Sequence, residues 1–240
     1  MTDCLLSSSS NHTCFFLLCT LGTKQPRKHF TDFQLSRLME RYSSFDADIQ
    51  SLGAILHGLE DPAPWDLKEE LLKAADVSNI DNPEYSQPLL AAIQIALVNF
   101  LAALGVVPDS VIGFSSGEKA AAYASGAITA AEAIIAAYYC GEVVKQLDQG
   151  KGGMAVVGLS YAQVQPFLKP GVMVGCDPSP QQTVLSGDTE PLDRVCEDIR
   201  KAKLGVFCFR LPSRVAYHSR MCNYPTTVDH PQISLGSSFH

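Results

Sequence analysis

A serine set between glycines, in the run Gly113-Phe114-Ser115-Ser116-Gly117, is the residue best placed to act as a nucleophile. The glycines of a G-x-S-x-G run admit a cramped turn from a strand into a helix, which lifts the serine Oγ clear of the sheet and sets it at a helix N-terminus. Val111-Ile112 reads as the short strand before it, and Glu118 to Ala124 as the alanine-rich helix after it. Ser115 is then the nucleophile and the backbone N–H of Ser116 one donor to a developing oxyanion, with the helix dipole adding to the stabilisation. The five-residue run alone is a weak motif; strand and helix in the right order give it weight.

A serine needs a base, and six histidines are available. His218 ends an apolar, strand-like segment, Leu211 to Tyr217, from which a loop could return it to the sheet edge near Ser115. By spacing alone it reads equally well as a satisfied structural histidine. His57 falls within a helical pattern and reads as surface, while His12, His29, His230 and His240 stand in segments without order signals.

The elements that must position these groups follow from periodicity. From Leu35 to Leu59 the apolar residues fall at helical steps, and Asp61-Pro62-Ala63-Pro64 closes the layer. Trp65 to Lys73 reads as a short helix. Ser86-Gln87-Pro88 has the chemistry of a helix start, and Leu89 to Leu104 then line one face until Gly105. Thr129-Ala130-Ala131-Glu132 is a capping box for the next helix, and Gly150 to Gly153 reads as a flexible boundary. Beyond it the period changes. Strands are expected at 155–158, 172–176, 183–186 and 206–211, with helices at 161–168 and 190–203, in the order βαββαβ.

The fold class is therefore α/β, an α/β-hydrolase-like large subdomain with a nucleophile elbow and an inserted ferredoxin-like small subdomain. The expected division is a leader outside the fold over 1–29, the large subdomain over 30–152 and 211–221, the small one over 153–210, and an irregular tail over 222–240.

Composition removes several function classes. With 18 Lys and Arg against 25 Asp and Glu, and no stretch that gathers the cations, no nucleic-acid surface is expected. The eight cysteines include no C-x-x-C pair, so neither a zinc site nor a redox dithiol has its spacing, and a reducing, cytoplasmic setting fits. The apolar run from Cys14 to Leu21 is too short to cross a bilayer and makes a poor signal peptide, with Asp3 where positive charge is expected. No membrane partner is expected, and without secretion the Asn11-His12-Thr13 sequon carries no meaning.

Gly113-Phe114-Ser115-Ser116-Gly117-Glu118, followed by Ala120-Ala121-Ala122-Tyr123-Ala124-Ser125-Gly126-Ala127-Ile128, resembles the GHSSGE…AAAYAAGAI signature of the acyltransferase (malonyl-CoA:acyl carrier protein transacylase) domains of fungal polyketide synthases. Val215-Ala216-Tyr217-His218-Ser219 is similar to that family's second motif, whose histidine is the base. The resemblance runs from about Tyr42 to about Met221 and includes Pro83-Glu84-Tyr85-Ser86-Gln87-Pro88. It implies a two-stage transfer for polyketide, that is secondary metabolite, biosynthesis. Ser115 takes a malonyl or other short acyl group from a coenzyme A thioester, then gives it to the phosphopantetheine thiol of an acyl carrier protein, with His218 moving the protons. Acyl-CoA, the carrier protein and other synthase domains are the implied partners. No bound cofactor and no metal is implied, and Gln87 joins Ser116 on the oxyanion and substrate side.

The sequence also departs from the family pattern. Phe114 stands where the family has His. Cys140, twenty-five positions after Ser115, stands where similar domains carry the Arg that pairs with malonate's free carboxylate, and cysteine offers no bidentate cation. Lys119 takes an apolar-looking position and reads as surface. The GQGAQ loop of the family is not recognisable, only Phe30-Thr31-Asp32-Phe33-Gln34 standing nearby, and the segment that follows the base histidine is absent, so the resemblance reads as incomplete at both ends. Two further readings therefore stand beside the acyltransferase: a catalytically inactive, truncated synthase fragment, and a generic serine hydrolase.

Overall fold

Residues expected to lie outside the fold supply two of its strands. In the structure, a computed structural model that describes residues 7–9, 12–18, 29–74, 76–147 and 150–220, β1 (Ser7–Ser9) pairs antiparallel with β2 (His12–Leu18). The expected leader is corrected here. Cys14-Phe15-Phe16-Leu17-Leu18 is a short unbroken apolar run, the pattern of a parallel strand rather than of an alternating one, and its partner lies far along the chain.

Two compact units make up the chain, Met1–Gln149 and Gly150–His240. In the first, α1 (His29–Arg41) and α2 (Ser43–His57) divide the expected helical layer. The break is Tyr42, extended at φ −126° and ψ 98°, whose ring packs on Phe100 with centroids 4.6 Å apart. Phe45, Ile49, Leu52 and Leu56 fall on one stripe of α2 and are buried. Helix α3 (Leu67–Leu72) is capped by Asp66, whose carboxylate accepts from Glu69 N–H at 2.8 Å. The loop after it is organised by Glu70, a buried carboxylate that accepts from Lys73 Nζ (2.6 Å), Asn79 N–H (2.6 Å) and Asn79 Nδ2 (3.2 Å).

Helix α4 (Pro83–Ala103) begins earlier than Ser86-Gln87-Pro88 suggested. Pro83 takes the first helical position, where a missing N–H costs nothing, and Pro88 lies inside the helix, leaving one ladder bond to Glu84 unmade. By length and composition α4 is apolar enough to cross a membrane. In this fold it is the core helix, packed on α2 and on the helix at Ala130–Leu147. Strand β3 (Ser110–Phe114) pairs in parallel with β2, Cys14 opposite Ser110 and Leu18 opposite Phe114, so the sheet order is β1-β2-β3. A 3₁₀ turn (Ser115–Gly117), α5 (Glu118–Ala124) and α6 (Ala130–Leu147) complete the unit. The expected capping box opens α6: Thr129 N–H donates to Glu132 Oε2 at 2.7 Å and Glu132 N–H to Thr129 Oγ1 at 3.1 Å.

The second unit runs β4 (Gly152–Val157), α7 (Tyr161–Val164) with a 3₁₀ turn (Gln165–Phe167), β5 (Val172–Ser179), β6 (Gln182–Asp188), α8 (Thr189–Ala202) and β7 (Cys208–Arg210). All pairings are antiparallel in the order β5-β6-β4-β7, and α8 lays Leu192, Val195, Cys196 and Ile199 onto the sheet. Gly152 and Gly153 are not a flexible boundary but strand positions. A Cβ on Gly152 would stand 2.6 Å from Ala216 N, and one on Gly153 2.4 Å from the Arg210 guanidinium. The segment 211–220, expected to be strand-like and to join the large subdomain, is irregular and packs within this unit. Leu211 N–H donates to Met154 O at 2.9 Å and Ser186 Oγ to Tyr217 O at 2.5 Å. Its polar Ser213, whose hydroxyl bonds the Val215 backbone, and Pro212 oppose strand pairing. The tail from 222 lies outside the described residues.

Candidate active site

At the end of β3 the backbone reverses its character within one residue. Phe114 is extended (φ −120°, ψ 120°), Ser115 is left-handed (φ 56°), and Gly117 and Glu118 are helical. A non-glycine residue held there costs about 1–3 kcal/mol and is retained only where the surroundings fix it. Two features do so. Gly113 gives the close approach, since a Cβ there would lie 2.5 Å from Glu118 Cα and 2.8 Å from Gly117 O. On the far side Ala120 and Ala121 seat α5 against Val98 and Val111, small side chains allowing a short distance. A serine on so tight a strand-to-helix turn has the backbone of the expected nucleophile elbow. The Ser116 hydroxyl itself is buried without a hydrogen-bond partner.

The other expected site residues of this unit lie on α4, which packs against the turn, and on α6, which packs against α4 and α5. Gln87 is in the second turn of α4, 9% exposed, with its Oε1 unpartnered. Cys140 is a half-buried free thiol on α6. Its neighbour Gly141 brings the two helices into backbone contact: a Cβ there would be 2.6 Å from Pro83 O and 2.9 Å from Glu84 Cα. Cys140 thus adjoins the first turn of α4, one turn before Gln87, and α4 also packs against the 3₁₀ turn that holds Ser115 and Ser116. Gly113 is one of the two glycines expected to admit the cramped turn, whereas Gly141 was not singled out; a glycine inside a helix pattern was the available signal. The cation nearest in sequence to Cys140 is Lys145, shared between Glu84 and Glu142 at 3.6 Å from each.

His218 belongs to the second unit. Its backbone is left-handed as well (φ 57°), and its side chain is exposed. Both flanks are tied down, Tyr217 O by Ser186 Oγ, Ser219 Oγ to Ala216 O at 2.6 Å, and Arg220 to Asp188 at 2.6 Å. Gly175 on β5 lies beside it, where a Cβ would stand in ordinary contact, 3.5 Å from His218 Cβ. His57 is exposed on α2 with Nε2 3.1 Å from Trp65 O, His12 lies on β2 and His29 opens α1. His230 and His240 lie outside the described residues. Among the described residues no group of three or more His, Cys, Asp or Glu side chains is arranged to hold a metal ion.

Residues 37–224 match the family model of the acyl transferase domain. The chain belongs to the acyl transferase domain family. The match takes in both motifs and slightly exceeds the span expected from them. Among curated proteins, the domain is 47% identical over 182 residues to the highly reducing polyketide synthase FUM1 of Gibberella moniliformis, covering 76% of this chain and 7% of that protein. The chain thus spans a small fraction of the relatives it matches. Among solved structures it is similar to the acyltransferase domain of the polyketide synthase PpsC of Mycobacterium tuberculosis, at 28% identity and a TM-score of 0.66, over 75% of this chain and 53% of that one. The loading acyltransferase of the avermectin polyketide synthase shares the fold, with a TM-score of 0.74 at 24% identity over 87% and 64% of the two chains. The fold is accordingly mixed α/β of the acyltransferase type, and this is an acyltransferase domain akin to those of polyketide synthases.

Proposed function

We propose that this domain moves a short acyl group from coenzyme A to the phosphopantetheine thiol of an acyl carrier protein, through an acyl-enzyme on Ser115. The observation that carries the reading is the left-handed Ser115 between β3 and the 3₁₀ turn. In the first stage Ser115 Oγ attacks the thioester carbonyl as His218 takes its proton, and the oxyanion faces the Ser116 N–H. Coenzyme A leaves with the proton returned by His218. In the second stage the carrier thiol gives its proton to His218 and attacks the acyl-Ser115 ester, restoring the hydroxyl. Gln87, with its unpartnered carbonyl oxygen, is placed on the substrate side. The finer architecture that goes with this reading is an α/β-hydrolase-like large subdomain carrying the elbow and a ferredoxin-like small subdomain set into it. The setting is cytoplasmic, among other synthase domains.

A second reading rests on Cys140. If it occupies the place of the family's carboxylate-binding Arg, the domain lacks that cation for malonate and either accepts uncharged acyl groups or does not turn over. The test is intact-mass analysis after incubation with malonyl-CoA and with acetyl-CoA. The expected adduct is absent in Ser115→Ala, and one that persists there overturns the assignment. Discharge to a carrier protein separates the transferase from a serine hydrolase, which releases the acyl group to water without any carrier. A folded chain that never labels supports the inactive reading.

A further inference from the structure

The fold joins two cysteines that sequence spacing kept apart. Cys196 is buried in the middle of α8, and Cys208, twelve positions on, opens β7 and packs half-buried against the same cluster, its thiol in hydrogen-bond contact with that of Cys196. Strand alternation explains the meeting. Phe207 and Phe209 stack on one side of the strand with centroids 6.2 Å apart, which leaves Cys208 and Arg210 on the side that α8 covers. There Arg210 Nε lies 2.9 Å from Asp193, and Arg200 Nη2 donates to Cys208 O at 3.0 Å. Asp193, Cys196 and Arg200 form one stripe of α8. Since β7 is an edge strand, Cys208 is approachable from solvent while Cys196 is not.

We propose that Cys208 and Cys196 form a thiol–disulfide exchange site, Cys208 attacking and Cys196 resolving, for an anionic low-molecular-weight disulfide of the glutathione type. The Cys208 thiolate attacks one sulfur of the external disulfide, forming a mixed disulfide and expelling one thiolate. Cys196 gives its proton to that thiolate and attacks Cys208 Sγ, so that the second small thiolate leaves and takes up from solvent the proton that Cys208 had released on ionising. Two protein thiols are oxidised to one disulfide and one external disulfide is reduced to two thiols. The charge environment fits the order of events. The thiol contact from Cys196 stabilises the Cys208 thiolate, burial opposes it, and Arg200 and Arg210 add to the stabilisation, holding Cys208 down at about 7, while Cys196 is pushed up. The two guanidinium groups also favour an anionic partner. The bond would clamp α8 to the edge strand.

The test treats the full chain with glutathione disulfide under native conditions and maps the products without reduction. The expected product is a single internal link between Cys196 and Cys208, with the loss of two hydrogens. Cys196→Ala should halt the reaction at glutathione on Cys208, and Cys208→Ser should abolish it. A first adduct on another cysteine, such as Cys176 on β5, or an unmodified Cys208 in a folded Cys196→Ala protein, overturns the proposal. Should the variants not fold, alkylation of the native chain decides. A midpoint near pH 7 for Cys208 supports the site, and one at or above the ordinary value of about 8.5 overturns it. At pH 7 the thiolate fraction is then about fifteenfold higher and its nucleophilicity about fivefold lower, so Cys208 should react about threefold faster than an ordinary thiol.

Discussion

Gly113→Ala is the substitution that most directly separates the geometry of the elbow from its chemistry. The added Cβ would stand 2.5 Å from Glu118 Cα, 2.7 Å from Glu118 N and 2.8 Å from Gly117 O, where ordinary contact begins at 3.4 Å. All three are backbone atoms of the 3₁₀ turn and the start of α5, so no flexible side chain can yield. Relief requires the turn to move by roughly 0.5–1 Å, at a cost of about 1–3 kcal/mol. That movement carries Ser115 with it, and a displacement of about 1 Å in a reacting group lowers a rate by about a hundredfold. Gly126→Ala is the control. Gly126 ends the same helix at φ +76°, where a Cβ meets nothing within 4 Å, so its variant should lose about 1 kcal/mol from backbone strain alone and acylate at nearly the native rate. Urea unfolding gives the stability changes, and intact-mass time courses with acyl-CoA give the rates. The reasoning is refuted if folded Gly113→Ala acylates Ser115 within about threefold of the native rate, or if Gly126→Ala loses as much.

Ser115→Gly should be more stable than Ser115→Ala by about 1–2 kcal/mol, because only glycine relaxes at φ 56° without a Cβ penalty; equal unfolding midpoints would show that the turn bears no strain. Burial raises the Glu70 carboxyl, but hydrogen bonds from Lys73 and Asn79 outweigh it and hold the group below its usual range. Its stabilisation is therefore complete above the unfolded value, near pH 4.5, and is lost as pH falls through the lower folded value. Glu70→Gln should cost about 1–3 kcal/mol at pH 7 and flatten the acid limb of a stability–pH curve; an unchanged limb would remove Glu70 as its source. Native chain should label with acetyl-CoA at least as well as with malonyl-CoA, and Cys140→Arg should shift the ratio of the two rates toward malonyl by on the order of tenfold or more. A strong native preference for malonyl-CoA that the substitution leaves unmoved would place the carboxylate partner elsewhere.

What could be read in the sequence was mostly local. The capping box at Thr129 and Glu132, the buried stripe of α8 and the order of elements after Gly150 depend on contacts a few residues long, and each falls within a few positions of its expected bounds. Non-local pairing was not legible. The run from Cys14 to Leu18 has too few residues to reveal a period, and its partner stands nearly a hundred positions away at Ser110 to Phe114. Pro83 and Pro88 illustrate a different limit. Both are compatible with a helix start, and the helix begins at Pro83, whose backbone lies against Gly141 of α6 so closely that a Cβ there would stand 2.6 Å from Pro83 O.

Backbone strain supplies a line of argument that owes nothing to motifs. Among the described residues only two that are not glycine have positive φ, Ser115 at 56° and His218 at 57°. Such conformations cost free energy and gather at functional sites, where the direction of one side chain matters more than the strain. Ser115 follows a strand, and the residues flanking His218 are held, Tyr217 O by the hydroxyl of Ser186 and Arg220 by Asp188. One of the two is the serine that the G-x-S-x-G run singles out, the other is the histidine that the family resemblance implies as the base, and each lies in its own unit. A chain in which drift had relaxed the site would have no reason to keep both. The strain at Ser115 and His218 therefore counts against the inactive reading whatever role Cys140 has.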